Sequence, residues 1–182
     1  MSNPNEGLSL IALAGNPNTG KTSLFNRLTD THERVGNYPG ITVDRHTGHF
    51  ELPEAGMVEV LDIPGNYSLS ARSAEEQIAI GALSGLPPYP VPDVVVLVVD
   101  ATQLTRNLYL ALQVIELEQP AVVALNMVDM LDGEGREVDP QALEKALGVP
   151  VIATNARDGK GLDRLKAAID RILAQPKKGT PG

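Results

Sequence analysis

The strongest chemical pattern in the chain is Gly15-Asn16-Pro17-Asn18-Thr19-Gly20-Lys21-Thr22, which fits G-x-x-x-x-G-K-[ST] between an apolar run and a helical pattern. Glycines let backbone N–H groups turn inward around phosphate oxygens. The N-terminus of the following helix, through Ser23, adds positive potential. The Lys21 ammonium suits β- and γ-phosphates, and the Thr22 hydroxyl suits Mg²⁺. A glycine turn with a solvated lysine is the plainer reading, and the full pattern in its strand-to-helix setting outweighs it. Asp62-Ile63-Pro64-Gly65 follows a later strand-length run. A carboxylate there can hold Mg²⁺ through water, and the Gly65 N–H can meet a γ-phosphate. DxxG alone is a common turn; behind a phosphate loop it carries weight. Thr42, next to Gly40 and Ile41 in a glycine-containing loop, is the natural second hydroxyl for the metal. Thr31 competes but sits close to the first helix.

A third group selects the base. Asn126-Met127-Val128-Asp129 follows an apolar run, and the Asp129 carboxylate can accept from the N1–H and N2–H₂ edge of guanine. Adenine would leave that carboxylate unpaired. The usual form is N-K-x-D; here Met127 stands for lysine, and its flexible thioether can cover the base face as a lysine stem does. Asn155-Ala156-Arg157 stands where a base-contacting S-A-[KL] loop belongs, with asparagine in the serine place.

These residues must be held by the elements around them. Strand-length apolar runs alternate with helical patterns, which signals an α/β domain with a mostly parallel central sheet and helices on both faces. The expectation is about six strands, one of them antiparallel. The runs are Leu8 to Ala14, Arg45 to Leu52, Met57 to Leu61, Val94 to Val99, Ala121 to Leu125 and Val151 to Ala153. A helix is expected from Gly20 through Leu28. Another begins after Asp139 with Pro140 in its first turn and closes at Gly148. A last helix carries Leu162, Leu165, Ile169, Ile172 and Leu173 on one face and ends before Pro176. Residues 31–43 lack periodicity and read as a loop. Pro87 to Pro92 reads as an extended connector, with a proline-recognition ligand as a minor alternative. Residues 1–174 form one domain and 175–182 a flexible tail.

Composition narrows the function classes. The chain of 182 residues suits one domain, and it contains no cysteine, so disulfides and thiolate metal sites are excluded. A net charge of −8 speaks against a sequence-blind nucleic-acid binder. The start MSNPNEG lacks the basic-then-apolar order of a signal peptide. Val94 to Val99 is the longest apolar run, far below the roughly 20 residues of a membrane helix. His46 and His49, three apart on an expected strand, point to opposite faces and read as ordinary strand residues.

The ordered motifs resemble the translation-factor-like class of small GTPases. More narrowly they resemble the N-terminal cytosolic G domain of the ferrous-iron transport protein B family, a P-loop NTPase G domain. The segments carrying this are GNPNTGKTSLFNRLT (15–29), VGNYPGITVDR (35–45), DIPGNYSLSARSAEEQIA (62–79) and DATQLTRNLYLALQVIELEQPAVVALNMVD (100–129), within a resemblance over residues 8–174. The resemblance implies slow hydrolysis of GTP to GDP with Mg²⁺, switch I at 31–43 and switch II at 62–80. It implies potassium stimulation, with Asn16 as the P-loop asparagine on the ion. Lys21, Thr42 and Asn16 are then the catalytic candidates. Asn66 follows DxxG where some relatives of the class carry glutamine, and no side chain is nominated as a base. The family continues into a helical GDP-stabilising domain and a membrane transport domain, and residues 1–182 carry neither. The implied place is cytoplasmic, at the face of the inner membrane, with a homo-oligomer left open and no nucleic-acid partner. A ribosome- or tRNA-linked GTPase, and a nucleotide-dependent binding switch with incidental hydrolysis, are the competing functions.

Overall fold

The computed structural model describes residues 7–30 and 32–176. Thr31 and the tail from 177 onward lie outside the described residues. Seven strands form one sheet in the order β2-β3-β4-β1-β5-β6-β7. They are β1 (Leu10–Gly15), β2 (Glu33–Asn37), β3 (Asp44–Leu52), β4 (Gly56–Asp62), β5 (Val94–Asp100), β6 (Ala121–Asn126) and β7 (Val151–Thr154). Neighbours from β4 to β7 pair in parallel. β3 runs antiparallel to both β4 and β2, so it alone opposes the rest.

Alternate residues of the central strands enter two cores, as the pleat requires. One face places Ile11, Leu13, Val96 and Val98 against Leu24, Phe25 and Leu28 of α1 (Lys21–Thr29) and Leu165 and Ile169 of α6 (Leu162–Ala174). The other places Ala12, Ala14, Leu97 and Val99 against Ile78, Ala82 and Leu83 of α2 (Ala74–Ser84) and Leu110 and Val114 of α3 (Leu104–Ile115). All seven residues of β5 are buried, which explains its continuous apolar run. Two shorter helices, α4 (Val128–Asp132) and α5 (Pro140–Leu147), complete the order.

The sheet has seven strands where six were expected, because β2 lies inside the segment read as a loop. All five of its residues are exposed, so no hydrophobic period marks it. It exists by backbone pairing with β3, from Glu33 opposite Gly48 to Asn37 opposite Asp44. The end signals of α5 hold: the Asp139 carboxylate accepts from the Gln141 N–H, and Gly148 closes the helix at φ 75°. α2 begins on a local signal of residue type and spacing. Ser73 and Glu76 form a capping box, and the Arg72 N–H in particular holds the Glu76 carboxyl below its ordinary pKa. The connector before β5 is extended only in part, since the Tyr89 N–H closes a turn on the Leu86 carbonyl at 2.8 Å.

Asp170 on α6 is buried, and its two oxygens accept from the Glu54 and Ala55 N–H groups, each at 3.0 Å. This carboxylate ties the last helix to the β3–β4 hairpin. We expect Asp170→Ala to lower the free energy of unfolding by about 1.5–3 kcal/mol, the range for hydrogen bonds to charged groups. Asp170→Asn, which keeps one acceptor, should cost less; urea titration of both variants checks this.

Candidate functional site

The parallel strands end on one side of the sheet, and the loops that leave them there meet. β1 delivers Gly15, β4 delivers Asp62, β6 delivers Asn126 and β7 delivers Thr154. The chain turns so tightly after β1 that a Cβ on Gly15 would lie 2.6 Å from the Val98 carbonyl oxygen. Gly20 adopts φ 86°, and a Cβ there would strike the Asn126 side chain at 2.1 Å. These two positions therefore require glycine.

The result is a cleft of about 470 Å³, lined by Asn16 to Asn18 and Gly20, by Lys21 to Ser23 of α1, and by Gly65 from across. That lies within the roughly 300–1,000 Å³ of small-molecule sites. No side chain caps the N-terminus of α1, and among the described residues the Lys21, Thr22 and Ser23 N–H groups have no intrahelical or side-chain partner. The buried Lys21 makes an ion pair with Asp62 and donates to the Ile63 carbonyl at 2.7 Å. The lysine suited to phosphates and the carboxylate suited to a metal thus already face each other.

Asn126 joins the phosphate loop to the base loop. Its Nδ2 donates to the Thr19 carbonyl at 2.9 Å, and its Oδ1 accepts from the Ala156 N–H at 3.1 Å. Met127 is left-handed at φ 64°, and its Cε lies 3.6 Å from the position of a Cβ on Gly20. Asp129 is exposed in the first turn of α4. The Arg157 N–H bonds the Asn155 Oδ1 at 3.0 Å, which shapes the base loop. Arg27, which the motif reading missed, holds the same loop from α1 by donating to the Ala156 and Arg157 carbonyls. Its place in the last turn of α1 was visible, but its partners are distant in sequence.

Not every candidate comes together. Gly40, Ile41 and Thr42 are exposed and do not line the cleft. Asn16 lines it but is buried, and both polar atoms of its amide lack a partner among the described residues. The loop turn is closed instead by the Thr19 hydroxyl, which donates to the Asn16 carbonyl at 3.0 Å. Asn18 is exposed at φ 64°. Asn66 turns inward: its N–H donates to the Gly15 carbonyl at 3.2 Å, its amide donates to the Ser68 carbonyl at 2.9 Å, and its Oδ1 is buried without a partner among the described residues. His46 faces the Glu33 carboxylate at 3.2 Å across the β2–β3 pair.

A family model described as ferrous iron transport protein B matches residues 9–169. The chain belongs to that family. The motif resemblance is borne out by relatives such as the Fe(2+) transporter FeoB of Escherichia coli (strain K12), 46% identical over 169 residues, which are 90% of this chain and 21% of that protein. The Fe(2+) transporter FeoB of Salmonella typhimurium is 46% identical over 166 residues, 88% of this chain and 21% of its own length. The chain thus spans about a fifth of these FeoB relatives. Among solved structures, the G domain of T. maritima FeoB is similar with a TM-score of 0.82 at 38% identity, covering 92% of this chain and 99% of that one. The cytosolic domain of L. pneumophila FeoB gives 0.83 at 43%, covering 90% and 63%. A GDP-bound mutant of S. thermophilus NFeoB gives 0.81 at 44%, covering 89% and 61%. The mostly parallel sheet with one opposed strand is the FeoB G-domain fold.

In this FeoB G domain the Asn126 amide is the structural joint of the cleft. We expect Asn126→Ala to lower the free energy of unfolding by about 1–3 kcal/mol, because it strips a donor and an acceptor from buried backbone partners. Chemical denaturation of the nucleotide-free protein measures this apart from any ligand.

Proposed function

We propose that this domain binds GTP and GDP with Mg²⁺ and slowly hydrolyses GTP, as the regulatory G domain of ferrous-iron uptake at the cytoplasmic face of the inner membrane. The Asn126 joint carries the reading, since it fixes a phosphate cradle beside a loop able to read guanine. Family membership and the GDP-bound state of the S. thermophilus relative support it. The attached membrane transport domain belongs to the same proposal, because the relatives are much longer than this chain.

The first-turn amides of α1 and Lys21 would hold the β- and γ-phosphates. For that, Lys21 must turn from Asp62, which frees the carboxylate. Asp62 and the hydroxyls of Thr22 and Thr42 make an all-oxygen donor set, the kind Mg²⁺ prefers. Bound Mg²⁺ supplies neutralisation of charge on the phosphates during transfer. Thr42 lies outside the cleft in this conformation, so switch I must move to bring it in. Asn66 is turned onto Ser68, which leaves switch I main-chain groups to position the attacking water.

Asp129 would accept from the guanine edge while Met127 covers its face. Asp129→Asn should weaken GDP by about a hundredfold, roughly 2.8 kcal/mol, and improve xanthine diphosphate, because a donor replaces an acceptor. Titration with labelled GDP, ADP and XDP tests it, and equal wild-type affinity for GDP and ADP would refute the base assignment.

Potassium stimulation is part of the proposal, since a monovalent cation beside the phosphates can offset developing charge. The motif resemblance puts Asn16 on that ion. Solvent access favours Asn18, whose residue is exposed at the lip, whereas the Asn16 amide is sealed. We expect hydrolysis to be faster in potassium than in sodium at equal ionic strength. Asn18→Ala should lose that preference with GDP affinity held within a few-fold, and Asn16→Ala should weaken nucleotide binding in both salts. Turnover and GDP titrations in each salt decide between the two amides.

A further inference from the structure

The segment Pro87 to Pro92 belongs to none of the nucleotide motifs, yet it touches switch I and the helix α2 that starts within switch II. Along residues 32–42 of switch I every residue is exposed except Tyr38, which is 2% exposed. This one ring anchors the segment to the core. The Tyr38 N–H donates to the Val43 carbonyl at 3.1 Å, and its carbonyl accepts from the Ile41 N–H at 3.3 Å. Tyr38 thereby closes the turn that carries Gly40, Ile41 and Thr42. Its hydroxyl donates to the Asp62 carbonyl oxygen at 3.4 Å. One side chain therefore ties the Thr42 turn to the residue that begins switch II.

Tyr89 holds that ring. The two aromatic rings meet edge to face with centroids 5.9 Å apart and planes at 61°, a favoured geometry for aromatic pairs. Tyr89 also lies against α2, where a Cβ on Gly81 would come within 2.5 Å of its ring. Its backbone is fixed by the turn onto Leu86, and Pro87, Pro88, Pro90 and Pro92 restrict φ around it. The connector thus presents a rigid aromatic between switch I and the switch II helix.

We propose that Tyr89 is a positioning residue for GTP hydrolysis, acting through the Tyr38 ring to fix the turn that bears Thr42. The proposal rests on the GTPase reading. When switch I moves to bring Thr42 to the metal, Tyr38 is its fixed end. A fixed end limits the conformations the segment must search, so losing the ring contact raises the entropic cost of assembling the metal shell. The effect falls on turnover and on the Mg²⁺ requirement, because GDP binding does not use Thr42.

The test compares the wild type with Tyr89→Leu and Tyr89→Phe. For Tyr89→Leu we expect turnover lowered about tenfold and half-saturating Mg²⁺ raised several-fold, with GDP affinity within threefold of wild type. Tyr89→Phe, which keeps the ring, restores both values. Amide exchange by mass spectrometry gives a readout independent of activity: the segment 33–43 should exchange at least tenfold faster in Tyr89→Leu, while β5 stays protected. Turnover at or above the wild-type rate with unchanged Mg²⁺ dependence overturns the proposal, as does unchanged exchange in 33–43. Faster exchange in β5 as well would mean general loosening and also overturns it. If the wild type itself hydrolyses no GTP, the functional reading has failed, and the exchange data still decide whether Tyr89 pins switch I.

Discussion

A buried amide at the end of β6 holds together two loops that leave different strands. Asn126 donates to the loop after β1 and accepts from the loop at 155–157, and position 20 must be glycine because this side chain occupies the space a Cβ would need. A buried amide with both kinds of partner is stabilising and directional, whereas the same amide unpaired would be costly. The cleft depends on this joint. Without it the loop after β1 and the loop at 155–157 would lose the side chain that bonds both directly. Arg27 reinforces it from α1, so the helix that begins at the cleft also supports the loop at 155–157 from its far end.

The site combines a rigid part with a loosely held one. β1, β5 and β6 are buried on both faces, and the loops they deliver inherit that rigidity. Switch I lies at the opposite extreme. Its strand β2 is an exposed sheet edge, and Tyr38 is the single ring that enters the core from residues 32–42. Burial pushes the Tyr38 hydroxyl well above the ordinary phenol pKa, so it remains a neutral donor. A segment with few buried apolar contacts opens at low free-energy cost.

Charge follows the same division. Lys21 and Asp62 neutralise each other where phosphate and metal chemistry is proposed, so neither is left as an unpaired charge. The pair also links the phosphate loop to the start of switch II, and any ligand that draws Lys21 away changes the surroundings of Asp62.

Residue types and spacing by themselves determined the candidate site residues and six of the seven strands. Gly15 to Thr22, Asp62 to Gly65 and Asn126 to Asp129 are local patterns whose meaning lies in residue type and spacing. The buried runs of β5 and β6 are legible because burial on both faces demands unbroken apolar residues. Tertiary structure decided what depends on partners remote in sequence. β2 escaped notice because an exposed edge strand is made by backbone pairing, which leaves no hydrophobic period. The motif resemblance singles out Asn16 in the loop, and only the path of the loop shows its amide buried and Asn18 exposed. Arg27 gains its role from Ala156 and Arg157, and Tyr89 from Tyr38 and Gly81. Such pairings arise when the chain brings distant segments together, and no local spacing encodes them.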